Sequence, residues 1–218
     1  MRVGILGSGL MGAKLGTIFA RAGHEVVFSY ARDEHKLKRL ARSAGGNARA
    51  GTAREAVQQA QAVLLAIHWS RLDDALTQAG SLAGKLIVGC TLPMNEEDTG
   101  LVIGRTSSGS EALAGRVPQA RVVSAFNTVP SEVLFGVFAA RRRRVRPSLV
   151  YCGDDPSAKR TAARLIRDTG FDPVDAGPLR ICRYTEPFAL LMAQLAYEGS
   201  GGPELAYRLA RYVSRRSK

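Results

Sequence analysis

The sequence predicts an α/β fold: a doubly wound, mostly parallel sheet with helices on both faces and a small C-terminal helical cap. Three observations lead to this prediction. The chain begins with an apolar run, Val3–Leu6, that leads directly into a glycine-rich turn. Short apolar runs without polar alternation, typical of strands buried on both faces, recur along the chain. Segments with helical spacing separate these runs, as expected for alternating strands and helices.

The first unit is a strand, a glycine turn, a helix and a second strand. The turn has the spacing Gly7-x-Gly9-x-x-Gly12, and it is followed by a helix over 13–23 and a strand over 24–29. In such a unit the first glycine permits a tight turn, the second lets the backbone approach a pyrophosphate, and the third lets the helix pack closely. The helix N-terminus attracts the anion. The unit therefore predicts dinucleotide binding, and a turn used for packing alone is the alternative.

Helices and strands continue to alternate through the first half of the chain. The segment 32–44 has helical spacing, with Leu37, Leu40 and Ala41 on one face. The elements that follow are a short helix 53–60, a buried strand 62–67, a helix 72–82 that ends at Gly84, and a strand 85–90. The polar, glycine-rich segment 91–110 is a long loop, and a lid over a site is one interpretation because long loops are often functional.

The second half begins with a helix from Glu111, a strand 121–126 and a short helix that Ser131-Glu132 is expected to cap. A strand 149–153, a helix 154–168 and a short strand 171–178 follow. The segment 181–197 is a helix that is apolar on nearly every side, so it is expected to be buried. A final helix from Pro203 ends in a basic tail. We expect 1–178 to bind the dinucleotide and 179–218 to form the cap and the dimer contact, although the two can count as one domain.

Composition excludes several classes of protein. No apolar run reaches the roughly 18 residues of a membrane span, and no signal peptide pattern opens the chain, so we expect a cytoplasmic protein without membrane contact. Three scattered cysteines and isolated histidines predict neither a disulfide framework nor a metal site. The net charge of +12 suits anionic ligands, but no base-stacking pattern accompanies it, so we expect no nucleic-acid partner. The run Arg141–Arg144 is predicted to be a solvated loop, with an anion or partner site as the alternative.

Ligands of doubly wound sheets bind outside the carboxyl ends of the strands, and the candidate coenzyme ligands lie at these ends. They are Gly7, Ser8, Gly9, Leu10, Met11, Gly12, Ser29, Tyr30, Arg32, Lys36, Ala66, Ile67 and Thr91. An NAD site has Asp or Glu after the second strand, and 28–32 contains neither. Arg32 can instead pair with a 2′-phosphate, assisted by Ser29 or Tyr30 and by Lys36, so we predict NADP(H) rather than NAD(H).

The remaining strand ends should flank the nicotinamide and a second, small-molecule substrate. The candidate substrate-binding residues are His68, Trp69, Asn127 and Pro130. Asn127 and His68 are the candidate catalytic residues: Asn127 can hydrogen-bond a ring carbonyl, and His68 is either a proton donor or a wall residue. Trp69 either lines the pocket or packs elsewhere. The sequence shows no Ser-His-Asp, Cys-His or paired-carboxylate arrangement, which suits hydride transfer because there the cofactor carries the chemistry.

Several segments resemble the family of NADP reductases that depend on the deazaflavin coenzyme F420. They are Met1-Arg2-Val3 before the glycine turn, Gly23 to Val27, Ile67-His68-Trp69, Val123-Ser124-Ala125, Thr128-Val129-Pro130, Cys152 to Asp155, Asp175 to Leu179, and Gly202 to Leu205. The resemblance implies a Rossmann-like NADP-binding domain with a small C-terminal cap and a cleft between them. It also implies direct hydride transfer between two stacked rings, with coenzyme F420 or a flavin as second substrate, in a homodimer.

Three positions depart from the pattern of that family. Asn127 stands where the archaeal members have histidine, His68 replaces a proline, and Ala31 replaces an arginine. Phe126-Asn127-Thr128 is more similar to the reductase domain of the six-transmembrane metalloreductases, which use flavin. The acceptor therefore stays open among coenzyme F420, a flavin and a quinone. An NADPH-dependent oxidoreductase is the predicted function, and a non-catalytic NADP-binding sensor is the alternative.

Overall fold

The computed structural model describes residues 1–31 and 33–212, and the predicted coenzyme ligand Arg32 lies outside the described residues. The strands are β1 (Arg2–Leu6), β2 (Glu25–Ser29), β3 (Ala48–Ala50), β4 (Ala62–Leu65), β5 (Leu86–Gly89), β6 (Arg121–Ser124), β7 (Ser148–Gly153) and β8 (Asp172–Gly177). The α-helices are α1 (Leu10–Arg21), α2 (Glu34–Ala44), α3 (Ala53–Gln58), α4 (Leu72–Ala79), α5 (Gly109–Arg116), α6 (Val133–Ala139), α7 (Pro156–Asp168) and α8 (Cys182–Ala193).

The strands form one sheet in the order β3-β2-β1-β4-β5-β6-β7-β8. The first six pair in parallel, β7 is antiparallel to β6, and β8 is parallel to β7. The chain builds outward from β1 to β3 and then returns to β4 on the other side of β1. This reversal opens a crevice outside the carboxyl ends of β1 and β4, where sheets of this kind bind ligands. The predicted Rossmann-like α/β fold is confirmed.

Helices cover both faces of the sheet. One core cluster joins α1, α2, α6 and α7 to the strands, with Leu15, Phe19 and Ile166 fully buried. The opposite cluster joins α3, α4, α5 and the start of α8, through side chains such as Val57, Leu113 and Cys182. Because both faces are covered, the strands are apolar on both sides, which explains the continuous apolar runs in the sequence.

Several element boundaries differ from the predicted ones. Helix α1 begins at Leu10, directly after Gly9, rather than at 13. Helix α4 ends at Gly80 rather than at Gly84, because Gly80 adopts φ +74° and its N–H closes the last turn. The edge strand β3 is absent from the prediction, since three residues paired only with β2 are too short to show a periodic pattern.

The predicted Ser131-Glu132 cap of α6 is wrong. Glu132 occupies the N-cap position without a side-chain hydrogen bond to the helix, and its carboxylate accepts from the Tyr197 hydroxyl at 3.0 Å. Ser131 instead accepts from Lys14: the ammonium lies 3.1 Å from both its carbonyl and its hydroxyl oxygen. The segment before α6 is therefore fixed to α1 through Lys14, while the Ser131 carbonyl also accepts from the Leu134 N–H of α6 at 3.3 Å.

Helix α8 is fixed to the sheet domain through α5. The Glu186 carboxylate, 1% exposed, accepts from the backbone N–H groups of Gly109 and Ser110 at 2.8 and 2.9 Å and from the Ser110 hydroxyl. It thereby satisfies open donors in the first turn of α5. Burial raises the pKa of Glu186, while these hydrogen bonds oppose the shift. Arg183 adds a bidentate pair with Glu111, at 2.7 and 2.9 Å.

Within a single copy of the chain, the helix predicted at 181–197 is buried on one side only. The α-helix ends at Ala193, and residues Gln194–Glu198 form a π-helical turn. Ala189, Met192 and Ala196 face the core, whereas Leu191 and Leu195 are more than half exposed. A single copy of the chain therefore covers one side of this helix. No helix among the described residues has both the length and the apolarity to cross a bilayer.

The predicted final helix is also wrong for the described part of the C-terminus. Residues 203–212 contain no helix. The segment runs past β7: the Tyr207 carbonyl accepts from the Ser148 N–H at 2.8 Å, and the Tyr207 hydroxyl accepts from the Val150 N–H at 3.0 Å. The same hydroxyl lies 2.8 Å from Thr128 Oγ1. These long-range hydrogen bonds hold the segment extended, which local sequence propensity does not reveal.

Candidate functional site

The glycine turn after β1 has the geometry of a phosphate-binding turn. Gly7 adopts φ +108°, and a Cβ there would lie 2.2 Å from the Ala66 carbonyl oxygen. A Cβ on Gly12 would lie 1.9 Å from the Gly7 carbonyl oxygen, so α1 can pack here only with glycine. A Cβ on Gly9 would meet nothing within 4 Å, because this position faces open space at the start of α1. Gly9 thus leaves room for an anion in front of the helix N-terminus.

Two adjoining cavities lie along this turn, with volumes of about 360 and 370 Å³. Both are lined by Gly9, Ala66, Ile67 and His68, so they form two halves of one cleft at the carboxyl ends of β1 and β4. We call the half on the β2 side the first cavity and the half on the β5 side the second cavity.

Polar and charged groups line the first cavity. Besides Gly7 and Ser8 of the turn, they include Tyr30, Asp33, Lys36, Arg71 and Gln78. The Asp33 carboxylate accepts from the His35 N–H at 2.8 Å and so caps α2. Lys36 and Arg71 are the two cations of this list, and they give the cavity the charge that a phosphate requires.

The Tyr30 side chain is bonded to protein groups at the wall of the first cavity. Its hydroxyl lies 2.5 Å from the Asp74 carboxylate and 3.3 Å from Arg71 Nε. Asp74 also pairs with Arg71 Nη2 at 3.0 Å. Burial and the neighbouring Asp74 raise the pKa of Tyr30. Tyr30 adopts φ +57°, an uncommon conformation for an aromatic residue, at the point where β2 ends on the crevice. The carboxylate therefore holds Tyr30 and Arg71 together.

The second cavity has an apolar wall with few polar groups. Its lining includes Leu10, Met11, Leu92, Met94 and Val129, and its polar members include Thr91, Asp98 and Asn127. The Thr91 hydroxyl donates to the Leu65 carbonyl at 3.3 Å. An apolar slot with a few fixed polar groups is the usual form of a small-molecule site.

The Asn127 side chain is fixed by the conformation of its neighbour. Phe126 is fully buried and adopts φ +69°, which turns the chain at the end of β6 and brings Asn127 to the cavity wall. The Asn127 amide donates to the Ser124 hydroxyl at 3.2 Å. Within the described residues, no hydrogen bond reaches its side-chain carbonyl oxygen. Backbone strain of this kind concentrates at functional sites.

His68 joins the cleft to the long loop. Its Nδ1 accepts from the Ser70 N–H at 3.3 Å and lies 2.8 Å from the Ser70 hydroxyl. Its Nε2 lies 3.1 Å from the Asp98 carboxylate. Because Nδ1 accepts, this hydrogen-bond network assigns the ring proton to Nε2, which donates to Asp98. Both ring nitrogens of His68 are therefore engaged by protein groups.

Residues 2–93 match the model of a family described as NADP oxidoreductase, coenzyme F420-dependent. This part of the chain is therefore similar to the NADP oxidoreductases of that family. It is also 30% identical over 189 residues, 87% of its length, to metalloreductase STEAP3 of Rattus norvegicus, and it spans 36% of that relative. The chain thus covers about a third of the length of this curated relative.

Three solved structures share the fold of this chain. A candidate F420-dependent NADP reductase from Arthrobacter sp. FB24 has a TM-score of 0.84 at 24% identity, over 97% of this chain and all of that one. A hypothetical protein of Sinorhizobium meliloti has a TM-score of 0.73 at 26% identity, over 96% of both chains. A reductive aminase of Aspergillus terreus, in complex with NADPH, has a TM-score of 0.65 at 17% identity, over 88% of this chain and 60% of that one.

The structure brings most of the predicted site residues to the cleft. The residues that line one or both cavities are Gly7, Ser8, Gly9, Leu10, Met11, Tyr30, Lys36, Ala66, Ile67, His68, Thr91 and Asn127. Ser29 is fully buried and donates to the Ile5 carbonyl at 2.7 Å, within the sheet. Trp69 packs against the core below α5, with the Arg116 guanidinium 5.5 Å from its ring centre, and Pro130 is buried beside the second cavity.

Sequence reasoning missed Arg71, Met94 and Asp98 as cleft residues. Arg71 is the last residue of the short 3-10 turn Trp69–Arg71, which follows His68. One such turn brings residues three apart to the same side, so the spacing from His68 could have indicated Arg71 as a cleft residue. Met94 and Asp98 come from the long loop, where no periodic pattern indicates which side chains turn inward. Only the fold of the loop over the cleft identifies them.

Proposed function

We propose that this chain transfers a hydride between NADP(H) and a flat, flavin-like acceptor, with coenzyme F420 as the first candidate. The observation that carries the proposal is the cleft of two joined cavities, one charged and one apolar, that meet at the open face of Gly9. A dinucleotide fits this division, because its phosphates need donors and cations while its reacting ring needs a dry, shaped wall. The family match of residues 2–93 supports the same coenzyme.

In this proposal the first cavity binds the adenosine end of the coenzyme. The N–H groups at the start of α1 face the pyrophosphate across Gly9. Lys36 and Arg71 line the cavity. Arg32, which comes two residues after Tyr30 in the sequence, is the ligand proposed for the 2′-phosphate. The carboxylate of the cavity, Asp33, is already used to cap α2. This use of Asp33 supports NADP(H) over NAD(H).

The second cavity binds the nicotinamide and the acceptor ring in this proposal. NADPH supplies a hydride from C4, the acceptor ring gains it with the electron pair, and a solvent proton completes the two-electron reduction. Asn127 orients a ring carbonyl or carboxamide from the fixed position that Phe126 gives it. Leu92, Met94 and Val129 exclude water from the ring faces. Positioning of this kind can supply several kcal/mol of a reaction barrier.

FMN or FAD is the second candidate acceptor, and a quinone is the third. The flavin is favoured by Phe126-Asn127-Thr128, which resembles the metalloreductases, and by the 30% identity to STEAP3 over 189 residues. A non-catalytic NADP-binding sensor is the alternative to an enzyme. Hydride transfer needs no acid from the protein, so the described cleft residues suit both functions. We further propose that the chain works in the cytoplasm as a homodimer, in which Leu191 of α8 and Leu195 of the following π-helical turn pack against a second copy.

The test is stopped-flow oxidation of NADPH carrying deuterium at one or the other face of C4. Coenzyme F420, FMN, FAD and a quinone are offered as acceptors in parallel. A primary isotope effect from one face, with deuterium recovered in the reduced acceptor, is the expected result. If none of the acceptors oxidises NADPH while NADP⁺ still binds, the oxidoreductase proposal fails and the sensor replaces it.

A further inference from the structure

A separate basic groove lies on the face of the sheet that α1, α2 and α6 cover. Its volume is about 640 Å³, and none of its lining residues belongs to either cavity of the coenzyme cleft. Three of the residues that line it, Lys14, Arg21 and Arg141, are basic, and none is acidic. Phe135, Phe138 and Leu40 supply apolar surface. The volume falls within the range of about 300–1,000 Å³ that small-molecule sites occupy.

The two arginines of the groove are stacked on aromatic rings. The Arg141 guanidinium lies 4.2 Å from the centre of the Phe138 ring, and the Arg21 guanidinium lies 5.7 Å from the centre of the Phe135 ring. One Arg141 N–H donates to the Phe138 carbonyl at 2.9 Å. A stacked guanidinium keeps its planar edge of donors outward, in the arrangement that carboxylates and phosphates match with paired hydrogen bonds.

The charge of the groove is not neutralised by the described part of the protein. Lys14, Arg21 and Arg141 form no ion pair within 4.0 Å with a described carboxylate. An adjoining surface cavity is lined by Arg142 and Arg143. The arginine run of the sequence is thus a solvated turn, as predicted, that also extends the basic wall of the groove. An anion would relieve the repulsion among these charges.

We propose that this groove binds a small molecule that carries two or more carboxylate or phosphate groups. Arg21 at the end of α1 and Arg141 after α6 each offer a guanidinium, so one anionic group can pair with each. The Phe135, Phe138 and Leu40 side chains contact the carbon skeleton of the ligand, and Lys14, held by Ser131, adds charge at the side of α1. The dimer contact proposed above uses Leu191 and Leu195, and neither residue lines this groove, so the groove is not assigned to a second copy.

The experiment uses the full chain with its coenzyme cleft saturated by NADP⁺, so that an added anion cannot report on the cleft. Citrate and inorganic tripolyphosphate are the probes, titrated by calorimetry at physiological ionic strength. We expect a further binding event for at least one probe. Because an ionic hydrogen bond to a phosphate or carboxylate is lost, Arg21→Gln and Arg141→Gln should each weaken that event about tenfold or more.

Arg54→Gln is the matched control, because Arg54 is an exposed arginine of α3 on the opposite face of the sheet. This variant should bind the probes as the unchanged protein does. Absence of binding by both probes overturns the proposal. An equal loss in Arg54→Gln also overturns it, since the binding then reflects net charge alone. NADP⁺ affinity should stay unchanged in all three variants, which keeps this test independent of the proposed reductase activity.

Discussion

His68 Nε2 lies 3.1 Å from Asp98 Oδ1, and this contact joins the turn after β4 to the loop between β5 and α5. Both residues line the second cavity. Asp98 adopts φ +55°, a conformation that Asp tolerates better than most residues. The pair thus holds the loop over the half of the cleft where we propose that the reacting rings stack.

The pair predicts how the loop responds to a change at Asp98. Asp98→Asn removes the charge but keeps the shape, so the loop should open more often and trypsin should cleave faster after the exposed Arg105. The pair is partly exposed, so we expect an effect below about 1 kcal/mol, or a few-fold in rate. Glu97→Gln is the neighbouring control and should leave cleavage unchanged. Equal cleavage of both variants and the unchanged protein would contradict a holding role for Asp98.

We expect Arg32 to determine the preference for NADPH over NADH. Arg32→Ala should weaken NADPH binding about tenfold or more, because a charge-assisted phosphate contact contributes on the order of 1.5–3 kcal/mol. NADH binding should change little, since NADH lacks the 2′-phosphate. Fluorescence titration with both coenzymes measures the two constants. Equal losses for NADPH and NADH would remove Arg32 from the phosphate site.

We expect that replacing Asn127 lowers the turnover rate without unfolding the protein. Asn127→Ala should lower kcat about 10²-fold, as for other fixed donors that orient or polarise a reacting carbonyl, while NADPH affinity falls much less. Steady-state kinetics with the best acceptor separate kcat from KM, and a denaturant titration checks that stability is kept. A variant with unchanged kcat would show that the side chain is only part of the wall.

His24 predicts a pH dependence of stability. The ring is 3% exposed, lies 3.0 Å from Asp168 and 3.3 Å from the N-terminal amine, and burial lowers its pKa from 6.5. A depressed pKa means that its stabilising contribution is complete above pH 6.5 and is lost as the pH falls through the folded-state pKa. The unfolding free energy of His24→Gln should therefore fall less than that of the unchanged protein over this range. Parallel curves from urea titrations would contradict this assignment.

The exposed leucines of α8 and of the following π-helical turn lead us to expect self-association. Leu191 and Leu195 are 53% and 51% exposed in one copy, and burying such side chains between two copies contributes favourably. Light scattering should give twice the chain mass at micromolar concentration, and Leu191→Arg with Leu195→Arg should give the single mass. The control is Val102→Arg, at an exposed apolar position of the loop between β5 and α5. A single mass for the unchanged chain would exclude the dimer at that concentration.

Local patterns were sufficient to predict much of the fold. The strands from β1 to β7, except β3, follow from short apolar runs, because a strand covered on both faces needs apolar side chains in both directions. The position of the glycine turn could be predicted from the sequence, because Gly7 and Gly12 permit close backbone contacts that any Cβ would block. At the site, residues at strand ends such as Ala66, Thr91 and Asn127 were found because parallel strands end at one edge.

The sequence by itself determined the order of the elements, the phosphate turn and the family resemblance, since these depend on neighbours along the chain. Only the tertiary structure decided what depends on distant neighbours. In the folded chain the Ser29 hydroxyl donates to the Ile5 carbonyl, and Trp69 packs against the Arg116 guanidinium. The Tyr207 hydroxyl binds β7, and Arg71 and Asp98 reach the cleft. Hydrogen bonds and packing between segments tens of residues apart depend on how the helices cover the sheet, and no local periodicity encodes them.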